Sequence, residues 1–336
     1  MTARPAGSAH PTGGAAPGLT GAGLVAFAAV CFGTLGPVTR FADEAGVGSL
    51  ALVAWRAAIG GIVAFVLLLT LRGMVGRRRR LRDVPTRDRW FVGFGSLANL
   101  VLNLAMFVAF VRIEIGLALL VFYLYPAYVA VASVLWFGER LDPPRWAALG
   151  LSTVGLVLTL AGSGGLGQLD PMGIGLSFVA GLAQAFYVLS ARHGFARVPP
   201  IEAAVTTMSG AALGYVVIAL VTGQLAALAA PLDSTASLWP VLWAGVIGAG
   251  IPTLFFITGI RRLGAPRAAI LATLEPVVGV ILAAILLNEQ PAALQLLGGA
   301  LILVAAVVLQ LRSAAAADHE AVGATDPPAA PSSVSD

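Results

Sequence analysis

From Ala268 to Asn288 the chain reads AAILATLEPVVGVILAAILLN, an apolar run whose one ionisable group, Glu275, is followed directly by Pro276. A helix rising about 1.5 Å per residue needs about 20 apolar residues to cross a hydrocarbon core about 30 Å thick, so the run predicts a transmembrane helix. Glu275 then sits roughly 11 Å deep. A carboxylate at such depth costs about 2.5–3.5 kcal/mol on insertion scales, and such groups face a partner or a polar cavity. Two readings follow: a solute-binding and proton-coupling carboxylate, or a structural group satisfied by a neighbouring helix.

The pattern occurs twice. GLALLVFYLYPAYVAVASVLWFGER, Gly116 to Arg140, lies 150 positions earlier and sets Pro126 against Pro276, Glu139 against Glu289 and Tyr125 against Glu275. The same offset pairs Asn103 with Thr253 and Arg112 with Arg262. Proline removes a donor from the helical ladder, so kinks are expected at Pro126 and Pro276. Glu139 and Glu289 fall at helix ends, where they read as anchors or caps.

Ten apolar spans can be drawn, at about 19–39, 49–71, 90–111, 115–137, 144–161, 171–191, 201–222, 238–260, 268–288 and 292–311. Charged residues are only 11% of the chain against 58% hydrophobic, well below the roughly 25% charge of soluble domains. The expected fold is an all-α polytopic membrane protein of ten transmembrane helices. Five helices per half is an odd number, so the second copy enters the membrane with opposite orientation and the two five-helix repeats are inverted. The expected division is a disordered tail over 1–17, a first repeat over 18–162, an external linker over 163–170, a second repeat over 171–312 and a disordered tail over 313–336.

All 20 basic residues are arginine. Apart from Arg40, Arg56 and Arg112 they fall on one side of the ten spans, which by the positive-inside rule puts both termini in the cytoplasm of a multi-pass cell-membrane protein. Membrane topology thus accounts for the basic pI, and no nucleic-acid partner is expected. A single cysteine, Cys31, and three histidines in tails and a loop indicate no disulfide, metal or cofactor. The Gly162, Gly164, Gly167 spacing matches a dinucleotide fingerprint without the preceding strand and is discounted. No HExxH or GxSxG sequence occurs, and no enzymatic activity is expected.

Inside the spans, Asn99 and Asn103 lie one turn apart on one face with Ser96, a stripe that either contacts a solute or joins two helices. Thr253, beside Pro252, makes the opposite wall, and Gln184 and Tyr187 share a face three positions apart. Phe122, Tyr123 and Tyr128 would supply an amphipathic lining or simple packing. Arg56, roughly 10 Å from its helix end, reads as snorkelling towards headgroups, with pairing to a carboxylate or anionic solute as the alternative. Gly210 and Gly214 form a small-residue packing face.

The run LEPVVGVILAAILLNEQ followed by LQLLGGALILVAAVVL, its first-half match WFGERL with ALGLSTVGLVL, and LVAWRAAIGG together resemble the drug/metabolite transporter superfamily, in particular its EamA-type ten-helix members. The resemblance spans 19–312; Asn288 replaces the glycine usual before the repeat-end glutamate. It implies a basket of inverted repeats around a central cavity, with export or exchange of amino acids and related metabolites. Inverted repeats also suit alternating access around a midplane site. The expected function is a secondary transporter of small organic solutes, embedded in the lipid bilayer and coupled to protons through Glu275. The expected solute contacts are Asn99, Asn103, Tyr125, Gln184, Tyr187, Thr253 and Glu275. The alternatives are efflux of cationic, lipophilic drugs and, in another class, a membrane scaffold or sensor without flux.

Overall fold

The computed structural model describes residues 17–74, 85–138, 141–162, 170–194, 200–263, 268 and 271–323. Among them every regular element is helical. The first half runs α1 (Pro17–Gly33), α2 (Leu35–Glu44), α3 (Ser49–Met74), α4 (Thr86–Arg112), α5 (Ile115–Phe122), α6 (Tyr125–Phe137) and α7 (Pro143–Gly162). The second runs α8 (Pro171–Gly194), α9 (Pro200–Val221), a 3-10 helix (Leu225–Leu232), α10 (Thr235–Gly245), a π turn (Val246–Gly250), α11 (Ile251–Leu263), α12 (Leu274–Leu287) and α13 (Ala293–Gly323). Among the described residues eight spans are long and apolar enough to cross a membrane, and the apolar stretches Leu274–Leu287 and Ala293–Leu309 are shorter.

Three of these eight spans are not plain helices, and neither is the stretch expected over 268–288. The first is interrupted at Thr34, between α1 and α2. In the fourth, α5 ends at Phe122, and α6 starts at Tyr125 with Pro126 in its first turn, where the missing N–H leaves no ladder bond unmade. The helix expected over 268–288 with a kink at Pro276 is instead interrupted at Thr273, and α12 begins at Leu274 with Pro276 in its first turn. A π turn lies between α10 and α11, at Val246–Gly250. At the far end α13 continues to Gly323, past the expected limit at 312.

The halves pack as a duplicated structure should. The closest neighbours are α4 with α8 and α1 with α11, which are the same contact seen from each repeat, and α7 with α13 and α3 with α9, which join equivalent spans. The same exchange relates α5 and α6 on α8 to α12 on α1. Even the helix ends correspond: α6 closes on Gly138 (φ 66°) and α12 on Asn288 (φ 56°), both left-handed. Asparagine is among the few side chains that enter this region readily, which explains how Asn288 stands where a glycine is usual.

The main apolar core lies at the end of the bundle that holds Arg40 and Arg112. It is built from Leu35, Val38, Leu52, Phe107, Phe110, Ile115, Leu117 and Val241 with their neighbours. Polar groups tie the same end across the repeats. Both carboxylate oxygens of Glu289 accept from the Ile115 N–H, at 3.1 and 3.0 Å, so this residue caps α5. Arg40 approaches Glu289 to 3.9 Å and donates to Ile113 O at 2.7 Å. Burial pushes the Glu289 carboxyl up, against the pull of the Ile115 N–H and the Arg40 guanidinium. Nearby, Gln295 donates to Glu114 at 3.2 Å, and Arg112 pairs with Asp170 at 2.5 Å. Glu139, the repeat mate of Glu289, lies outside the described residues, as do the linker positions 163–169.

Candidate solute site

Glu275 enters the bundle from the first turn of α12, directly after the break at Thr273. The opposite repeat meets it with its own break. The hydroxyl of Tyr123, two residues before the start of α6 and 3% exposed, lies 3.1 Å from both Glu275 Oε2 and Ala272 O and shares its one proton between them. One hydroxyl thus serves the carboxylate and a carbonyl freed by the helix interruption. Behind it Tyr123 packs on Phe122 and Tyr125, with ring centroids 5.5 and 5.8 Å away. Gly33 allows α1 to press on the same turn: a Cβ there would lie 2.8 Å from Val278 Cγ1 and 3.0 Å from Glu275 O.

Arg56 forms a second charged centre. Its guanidinium donates to Asn103 Oδ1 at 2.8 Å and to Gly248 O at 3.0 Å, and its central carbon lies 5.4 Å from the Phe107 ring centroid. The expectation that Arg56 snorkels to headgroups is therefore corrected. Asn103 and the π turn, which exposes the Gly248 carbonyl, offer oxygens inside the bundle, and the side chain turns inward to reach them. Its Nε is buried without a hydrogen-bond partner among the described residues. Arg56 and Glu275 act on one another electrostatically, yet they form no ion pair within 4 Å.

Of the other candidate contacts, Asn103 bridges to Asn99, donating to its backbone oxygen at 2.8 Å and its side-chain oxygen at 3.2 Å. This stripe is the second shelf under Arg56. Thr253 donates to Ala249 O of the preceding π turn at 2.5 Å. Tyr125 joins the aromatic group beside Glu275, 5.7 Å from Phe122. Gln184 and Tyr187 sit half-buried on α8, and Tyr187 hydrogen-bonds Thr207 of α9. Tyr123 was visible in sequence only as an aromatic; its proximity to the LEP run, through the duplicated breaks, was the available signal. Among the described residues no group of three His, Cys, Asp or Glu side chains is placed to hold a metal.

Together these features define a multi-pass helical membrane protein built from two related halves, with an acid and a base held apart in its interior. The chain matches the EamA-like transporter family over residues 19–161 and again over 171–311. It belongs to that family and is a membrane transporter of the EamA type. An uncharacterized transporter of Archaeoglobus fulgidus is 27% identical over 231 residues, 68% of this chain and 78% of that protein. One from Synechocystis sp. is 27% identical over 216 residues, 63% of each chain. A solved crystal structure superposes with a TM-score of 0.58 at 24% identity, covering 87% of this chain and 98% of that one, and supports the fold alone.

Proposed function

We propose that the protein is a secondary transporter of the cell membrane that moves small organic metabolites, amino acids or their derivatives foremost, by alternating access and in the direction of export. Its working units are the repeats 18–162 and 171–312 joined by the external linker 163–170, with both termini cytoplasmic. The observation that carries this reading is Glu275: a carboxylate at a helix break within the bundle, reached by the Tyr123 hydroxyl and paired with no cation among the described residues. A group so placed is costly unless it is used. It contacts the solute and takes up a proton during the cycle, Asn99, Asn103, Tyr125, Gln184, Tyr187 and Thr253 completing the solute contacts. With the arginine-rich ends inward, the packed end bearing Arg40 and Glu289 faces outward, so this conformation is closed to the outside.

The aromatic group of Phe122, Tyr123 and Tyr125 beside a single acid favours a second reading, efflux of cationic, lipophilic compounds. A thermal-shift screen of detergent-purified protein against amino acids, sugars, nucleosides and cationic drugs separates the two, because a ligand of the folded state raises Tm by mass action. Amino-acid hits that weaken in Glu275→Gln support the first reading. Hits confined to cationic drugs support the second, and amino-acid binding unaltered in Glu275→Gln refutes the role of this residue.

A further inference from the structure

We infer that Arg56 is the anion-binding half of the solute site, so that the transported solute is a zwitterion whose carboxylate docks on Arg56 and whose cationic end meets Glu275. The inference rests on the transport reading above and specifies its substrate chemistry.

The argument starts from what Arg56 lacks. A guanidinium inside a membrane bundle needs its donors met and its charge balanced. Of its five N–H donors, the hydrogen bonds to Asn103 Oδ1 and Gly248 O occupy two, and Nε has no partner among the described residues. Both of those acceptors are neutral, and the Phe107 face adds only the attraction of a ring quadrupole. Among the described residues no carboxylate lies within 4 Å of the guanidinium. From beyond contact Tyr215 and Glu275 act on Arg56, and Glu275 is itself served by one hydroxyl donor. Two opposite charges kept apart, each short of partners, are complementary to a molecule that carries both charges.

The supports are those a binding group requires. Asn103, braced by Asn99, and the π turn hold the guanidinium from two different helices, α4 and the α10–α11 span, so its orientation does not depend on the solute. Arginine suits this role better than lysine because its planar fork accepts a carboxylate through two parallel hydrogen bonds. The competing explanation is that Arg56 only fastens α3 to α4 and to the π turn. A fastening group would affect stability and leave solute selectivity alone.

The test therefore reads selectivity. Binding of the twenty L-amino acids, their α-amides and their decarboxylated amines is measured by calorimetry and thermal shift on full-length protein and on Arg56→Gln, Arg56→Lys and Glu275→Gln. The wild type is expected to prefer an acid over its amide by about tenfold or more, the scale of a charge-assisted hydrogen bond. In Arg56→Gln that ratio falls close to one, in Arg56→Lys it is intermediate, and in Glu275→Gln it persists while overall affinity drops. Should Arg56→Gln fail to fold, the intermediate ratio of Arg56→Lys carries the test. Amino acids that bind Arg56→Gln with the wild-type preference over their amides overturn the inference and leave the transport reading standing. Wild-type protein that binds amides or cationic amines as well as acids overturns the inference too, and with binding confined to cationic drugs the metabolite reading falls with it.

Discussion

Replacing Gly33 by alanine tests how closely the two interrupted spans are fitted together. The new Cβ would lie 2.8 Å from Val278 Cγ1, 2.9 Å from Val278 Cβ and 3.0 Å from Glu275 O. Carbon atoms prefer separations of about 3.5–4.0 Å, so one side must retreat by up to roughly 1 Å. Val278 is β-branched and its Cβ moves only with the backbone of α12, so the strain passes to the turn that bears Glu275. Overpacking of this kind costs about 1–3 kcal/mol. Gly23, in the interior of the same helix α1, is the internal control, because a Cβ there meets nothing within 4 Å. Gly23→Ala should gain about 0.5–1 kcal/mol from the lost backbone freedom of glycine. The two variants should therefore differ by about 1.5–4 kcal/mol. Reversible unfolding in mixed detergent micelles, followed by tryptophan fluorescence, measures the difference. Variants that agree to within about 0.5 kcal/mol, the scale of a neutral surface change, would refute the claimed contact between α1 and the α12 break.

Further outcomes follow from other contacts. Asn288, left-handed at the end of α12, should tolerate glycine with no loss, whereas Asn288→Val should cost about 1–2 kcal/mol in the same unfolding assay. Glu289→Ala removes the acceptor from the Ile115 N–H and should cost about 0.5–2 kcal/mol, as loss of a helix cap does. The Arg112 hydrogen bond holds the Asp170 carboxyl below its ordinary range, so its contribution to stability is present above about pH 4 and is lost as pH falls through the lowered value. Asp170→Asn should accordingly lower Tm at neutral pH, with the gap from wild type closing in acid.

How much of this was legible beforehand depends on the range of the interaction. The LEP run and its partner 150 positions earlier exposed the duplication, because a membrane helix is written as a contiguous apolar stretch between arginines and prolines. Which face of each helix points inward was not written there. Lipid is as apolar as the core, so the spans lack the polar stripe that orients a helix in water. The decisive contacts also join residues far apart in the chain: Tyr123 with Glu275, and Arg56 with Asn103 and Gly248. In sequence Arg56 reads as a headgroup-facing arginine or a partner of some anion, because nothing local announces the π turn that offers it a carbonyl. The glycines around that turn, Gly245, Gly248 and Gly250, were its one trace in the sequence.

The most direct test of the account is counterflow. Purified protein is reconstituted into liposomes loaded with an unlabelled amino acid at high concentration, and the labelled acid is supplied outside in trace amount. The account predicts transient accumulation of label above equilibrium, and its loss in Glu275→Gln protein that retains a wild-type unfolding profile. Absence of accumulation for every amino acid tried, or undiminished accumulation in Glu275→Gln, would contradict it.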